Sequence, residues 1–214
     1  MPTTTIQRLR LFRQEASDHC ADPLVTGVDR LLADVETSLE RERERRSAVR
    51  DEQARSIADA LEEAGGARSH FLHRRLGPSG CGDLDHLAVT ASGVWVIGAW
   101  HEAGARVAVA FANGVAESDR ERLMVRGRDK TQLARRLSCQ LEAVASALAS
   151  YDVPVRGLLC FVDAELPRVW EPVIHGHVVG DAERARQVLQ AEGPVGTAWR
   201  RDLFDVLAQE FPAV

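Results

Sequence analysis

Two apolar runs constrain this chain more than anything else in it: "VWVIGAW" at 94–100 and "VRGLLCFV" at 155–162. Neither alternates polar with apolar residues. Strands of that kind are buried on both faces, so helices must cover their sheet on both sides. "SHFLHRRL" (69–76), the loop "GPSGCG" and "DLDHLAVT" (83–90) lead into the first run through the short turn "SG" at 92–93. "ARVAVAF" (105–111) alternates as a strand, "NG" at 113–114 marks a turn, and a short strand is expected around Leu123–Val125. Leu133, Leu137, Leu141, Val144 and Leu148 share one face of a helix over 129–149, with Asp129 as its cap. "PVIHGHVVG" (172–180) reads as one more strand, and helices over 181–191 and 198–210 close the chain. The order describes an α/β fold, a sheet opened by a meander and covered by helices.

The N-terminal part is helical in pattern. Ile6, Leu9, Phe12 and Ala16 fit a helix over 4–19, which "ADP" at 21–23 breaks. Leu24, Val28, Leu31, Leu32, Val35 and Leu39 form a second stripe. "ERERERR" at 40–46 continues it as a solvated face, and "GG" at 65–66 ends it. One long helix or two stacked helices fill 24–64. The stripe over 24–39 packs on the chain's own core or pairs with a second copy as a homodimer. Three regions are expected: a helical extension over 1–46, a central domain over 47–180, and C-terminal helices over 181–214 that pack on it.

With a net charge of −5, the protein is not a globally basic nucleic-acid binder, although a local patch is open to it. Cys20, Cys81, Cys139 and Cys160 include no C-x-x-C pair, so reduced thiols and a cytoplasmic location are expected. No apolar stretch is long enough to span a membrane, and the N-terminus lacks the apolar segment of a signal peptide.

Chemistry concentrates around "GDLDHLAV". Asp83 and Asp85 project to one face of a strand and His86 to the other. Such a pair of acids fits a solvated strand edge; emerging between buried strands, it also fits a metal site. A second acid and a lysine at the end of the next strand would complete a site for metal-dependent phosphodiester hydrolysis. That strand ends instead on Gly98, Ala99 and Trp100.

The blocks "HFLHRRLGPSGCGDLDHLAVTASGVWVIGAW", "RLMVRGRDKTQLARRLSCQLEAV" and "VPVRGLLCFVDAELP" resemble the nuclease-related domain (NERD), of the kind common in actinobacterial proteins. That family is similar to the PD-(D/E)-x-K restriction-endonuclease-like fold. The resemblance spans roughly residues 48–180. It implies a central mixed sheet flanked by helices, here with an N-terminal helical extension, and hydrolysis of nucleic-acid phosphodiesters. The family's strand acid falls on Asp85, beside His86. Its D-A-K triplet falls on Gly98, Ala99 and Trp100, its helical glutamate on Glu52, and its helical glutamine on Gln140. Asp85 and Glu52 would be the remaining ligands of a Mg²⁺ ion. Loss of one electrostatic group of this kind slows a reaction by roughly 10²–10³. The resemblance therefore implies a catalytically impaired domain kept as a nucleic-acid-binding or assembly module. The alternative is an active metal-dependent DNA nuclease that uses Asp85, Glu52 and a relocated residue such as Glu102.

Between Arg120 and Arg136 stand seven basic residues against two acids, and Lys130 is the only lysine of the chain. Arg126, Arg128 and Lys130 are candidate contacts to a phosphate backbone, most readily of DNA; a solvated helix face explains the same charges. His175 and His177 would share one strand face, without a third metal ligand at fitting spacing. Cys160 reads as an inert core residue.

Overall fold

A computed structural model of the chain describes Gln7 and residues 22–111, 121–167 and 171–214. Apart from Gln7, the helix expected over 4–19 lies outside the described residues, as do the "NG" turn at 113–114, Cys20 and Arg120. The chain divides into two compact units, residues 1–54 and 55–214. One uninterrupted helix, α1 (Asp22–Gly65), replaces the choice between one helix and two. It gives residues 22–54 to the first unit and 55–65 to the second. In the first unit Leu32 is buried, Val35 and Leu39 are half-buried, and the "ERERERR" stretch faces solvent wherever its side chains are described.

The second unit is built on a mixed six-stranded sheet. Its strands are β1 (His70–Arg75), β2 (Leu84–Thr90), β3 (Gly93–His101), β7 (Val155–Val162), β8 (Val173–Ile174) and β9 (His177–Gly180), in the order β1-β2-β3-β7-β9-β8. β1, β2 and β3 form the expected antiparallel meander, and β7 runs parallel to β3. The connection between β3 and β7 carries helix α2 (Thr131–Ala147). The two apolar runs are indeed the central pair, and period-2 alternation sends their side chains into two separate cores. Leu87, Val89, Val94, Val96, Leu159 and Phe161 pack with α2 and with α4 (Thr197–Glu210). Ala88, Trp95, Ile97, Leu158 and Cys160 pack with Ile57 and Leu61 of α1 and with α3 (Ala182–Leu189).

β4 (Val107–Phe111) has the expected alternation but leaves the main sheet. It pairs with β5 (Glu121–Val125), which pairs in turn with β6 (Arg128–Asp129), as a small second sheet. The helix expected from 129 begins at Thr131, and its N-cap is Lys130 rather than the expected Asp129; Asp129, one residue earlier, accepts from Thr131 N at 2.8 Å and Thr131 Oγ1 at 2.6 Å. Those bonds hold the Asp129 carboxyl below its usual range. Residues 172–180 are not one strand but a hairpin. Its two-residue turn places His175 at φ 50° and Gly176 at φ 77°. That backbone matches the twist of the flanking strands, and the glycine removes the steric cost at one of the two positions. Among the described residues no helix is long and apolar enough to cross a membrane.

The β2–β3 turn is fastened from inside. Thr90 Oγ1 donates to Gly93 O at 3.1 Å, and the buried Trp95 Nε1 donates to Ser92 Oγ at 3.0 Å. Gly93 sits at φ 134°, and a Cβ there would lie 2.3 Å from Pro154 O. Val94 N donates to that same carbonyl at 2.9 Å, so the close approach starts the β3–β7 ladder. Gly93→Ala is expected to lower the unfolding free energy by about 2–3 kcal/mol at an unchanged denaturant m value. A urea titration checks this; a loss under about 0.5 kcal/mol would mean that the turn relaxes freely.

Candidate functional site

The candidate site lies where β2 begins and β3 ends. Pairing of β2 with β3 runs from Thr90↔Gly93 to His86↔Ile97. One further step in that register sets Asp85 opposite Gly98, on the face covered by α2. The positions that the sequence reading assigned to two acids are thus neighbours across adjacent strands. Nothing takes the place of the second acid except an indole. A Cβ on Gly98 would lie 2.6 Å from the Trp100 ring, so Trp100 folds back over Gly98. The ring stacks on buried Phe161 with centroids 5.3 Å apart. The space that a carboxylate would need is filled by apolar packing.

Asp85 faces a cation instead. Arg136 on α2 places Nη2 3.7 Å from Asp85 Oδ1, and the same nitrogen donates to the Asp83 carbonyl. Burial raises the Asp85 carboxyl above its usual range; Arg136 works against that and Asp83 adds to it. Gln140, one turn further along α2, is buried and donates from Nε2 to the Asp83 carbonyl at 2.7 Å. Between them Cys139 is bonded to Cys81, with Cα atoms 5.6 Å apart. The expectation of reduced thiols fails for this pair. The two cysteines are distant in the chain, and only the packing of α2 over the β1–β2 loop brings them within disulfide reach. Arg136, Cys139 and Gln140 together hold the loop before β2. Cys160 is buried and free, its thiol pushed up to about 12 by burial, which keeps it a core residue.

The remaining candidates are dispersed. Glu52 is an exposed residue of α1 in the first unit. Glu102 accepts from Arg126 Nε at 3.1 Å, and Arg126 Nη2 donates to Ala103 O at 2.8 Å. A relocated acid and a proposed phosphate contact therefore hold each other. Arg128 and Lys130 are exposed on the β5–β6 hairpin and just beyond it. The donor set at Asp85 does not fit a Mg²⁺ ion: Gly98 and Trp100 bring no ligand, and the Asp85 carboxylate faces a guanidinium. Among the described residues no group of three His, Cys, Asp or Glu side chains is arranged for a metal. His175 and His177 do not share a strand face, since the hairpin turn separates them. His177 is buried against Ser138 Oγ at 2.7 Å.

Sequence reasoning missed one polar chain on the opposite face. His86 Nδ1 lies 2.7 Å from His73 Nδ1, and His73 Nε2 lies 2.9 Å from Glu62 Oε1. With both rings neutral the direction follows: Glu62 only accepts, so His73 donates from Nε2 and accepts at Nδ1 from His86. The two histidines are paired in the β1–β2 register, a relation invisible until the strand alignment is known. Burial, then the neighbouring His73, lowers His86 to about 3; burial, then His175, lowers His177 to about 4.

Compared with protein-family models, with curated proteins and with solved structures, the chain finds no match in any of the three.

The depressed histidines set a pH dependence. Below 6.5 the unfolded chain binds protons at these rings that the folded chain refuses. Stability from this source is fully present above pH 6.5 and drains away as pH falls toward 4. Thermal unfolding from pH 7.5 to 4.5 is expected to show a falling midpoint. His86→Asn is expected to flatten that fall, and an equally steep fall in the variant would remove His86 as a cause.

Proposed function

We propose that the second unit is a nuclease-related domain of restriction-endonuclease-like type that binds the phosphodiester backbone of nucleic acid without hydrolysing it. The observation that carries this reading is the pairing of Asp85 with Arg136 beside an indole-filled Gly98. A hydrolytic site needs carboxylates free to hold a cation and a charge to support the attacking water. Here Asp85 has an internal counter-ion, and the neighbouring position is occupied by Trp100. The meander followed by α2 and a strand parallel to β3 supports the fold assignment.

Binding would rest on charge. Arg128 and Lys130 are exposed, while Arg126 is engaged with Glu102. Phosphate contacts by such side chains position a backbone without reading bases, which suits a chain in which aromatic residues make up only 5%. DNA is the ligand class favoured by the resemblance.

Purified protein incubated with plasmid and linear DNA in Mg²⁺ or Mn²⁺ is expected to leave both uncut. Affinity for duplex DNA is expected to fall steeply with salt. Arg128→Ala with Lys130→Ala should reduce the slope of log K against log salt by about 2. Cleavage that disappears in Asp85→Ala would overturn the reading in favour of an active nuclease. Absence of salt-sensitive binding would overturn the nucleic-acid role.

A further inference from the structure

At the opposite end of β2 from Asp85, a cavity of about 690 Å³ opens between the end of α1, the β2–β3 turn and the start of α4. We infer that it binds a small phosphate-bearing anion, because a buried arginine without a carboxylate partner among the described residues and the N-terminus of α4, which has no side-chain cap, converge on it.

Arg200 lines the cavity and is only 6% exposed. Its Nη1 donates to the Arg68 carbonyl at 2.5 Å and its Nη2 to Thr197 Oγ1 at 2.7 Å. Both acceptors are neutral. Its Nε–H is sealed from solvent and has no acceptor among the described residues, so the charge meets the cavity through the two Nη groups. A guanidinium carries five N–H groups and a full charge, and burying it beside neutral acceptors alone is costly. Glu192 is the one acid in the lining, and it is exposed. An anion held in the cavity supplies the missing charge.

The helix end points to the same ligand. Gly196 occupies the N-cap and makes no side-chain cap bond, and the first turn of α4 contains no acid. The first bond inside the helix runs from Arg200 N to Gly196 O, so the N–H groups of Thr197, Ala198 and Trp199 precede it without helical acceptors. Such an end favours negative charge and offers several donors at one point. A Cβ on Gly196 would meet nothing within 4 Å, so the approach is open. Gly193 is pressed against Ala91 and Ser92, where a Cβ would lie 2.5 Å from backbone, and this contact closes one wall. Backbone donors beside a fork of guanidinium N–H groups suit a tetrahedral oxyanion with several acceptor oxygens. The volume falls in the range of about 300–1,000 Å³ typical of small-ligand sites, so an organic group can accompany the phosphate.

The test is calorimetric titration of the full chain with inorganic phosphate, a nucleoside 5′-monophosphate and the parent nucleoside, at ionic strength matched with sodium chloride. Saturable one-to-one binding of phosphate and monophosphate, and none of the nucleoside, is expected. A tighter monophosphate identifies an organic phosphate as the ligand; equal affinities identify the free ion. Gly196→Asp caps the helix and fills its end with a carboxylate, so the fold should persist by circular dichroism. Phosphate affinity should fall by about tenfold or more in Gly196→Asp and in Arg200→Met. No saturable binding to the wild type, equal binding of the nucleoside, or full affinity in Gly196→Asp would each overturn the inference.

Discussion

The parallel pairing of β3 with β7 underlies the rest of the second unit. It runs without a break from Val94↔Val155 to His101↔Val162, between two strands buried on both faces. A parallel partner cannot be reached by a hairpin, so the chain must cross over the sheet before β7 can form. α2 is the helix in that crossover, and its apolar stripe lies on the face that holds Asp85, Gly98 and Trp100. From that position it brings Arg136, Cys139 and Gln140 to the loop that opens β2. The site is therefore a product of strand topology rather than of any local motif.

Around Asp85 the physics favours a closed, charge-balanced arrangement. Trp100 can lie over Gly98 only because residue 98 lacks a side chain, and Phe161 supplies the stacking partner on the neighbouring strand. An acid at 98 would collide with that indole, so the two residues form one packing unit. Arg136 meets Asp85 and the Asp83 carbonyl with the same nitrogen, which ties charge neutralisation to the position of the loop. Across the sheet, His86 faces the other core and is satisfied through His73 and Glu62, so the strand carries a polar group into each layer without leaving either unpaired.

Arginine does structural work throughout a chain that has a single lysine. Arg126 spans Glu102 and the Ala103 carbonyl; Arg136 spans a carboxylate and a carbonyl. A planar fork can serve two acceptors at once, where an ammonium acts as a point charge. Arg200 belongs to the same class of contact but has only neutral partners, and that difference sets it apart.

Much of the architecture was legible before any coordinates. The unbroken apolar runs marked the central strands, period-2 alternation marked β4, and the leucine stripe marked α2. These patterns are local and follow directly from which faces of an element meet water. Residues 172–180 were misread because a strand and a tight hairpin of the same length have the same apolar content; only the positive φ of His175 and Gly176 separates them. The site was legible as a list of residue types at strand ends; that Asp85 and Gly98 stand opposite each other came only with the β2–β3 register. Its partners were not. The Cys81–Cys139 bond, the Arg136–Asp85 contact and the His73–His86 pair join residues distant in the chain. They depend on strand alignment and on where one helix comes to rest, and tertiary packing alone decides those.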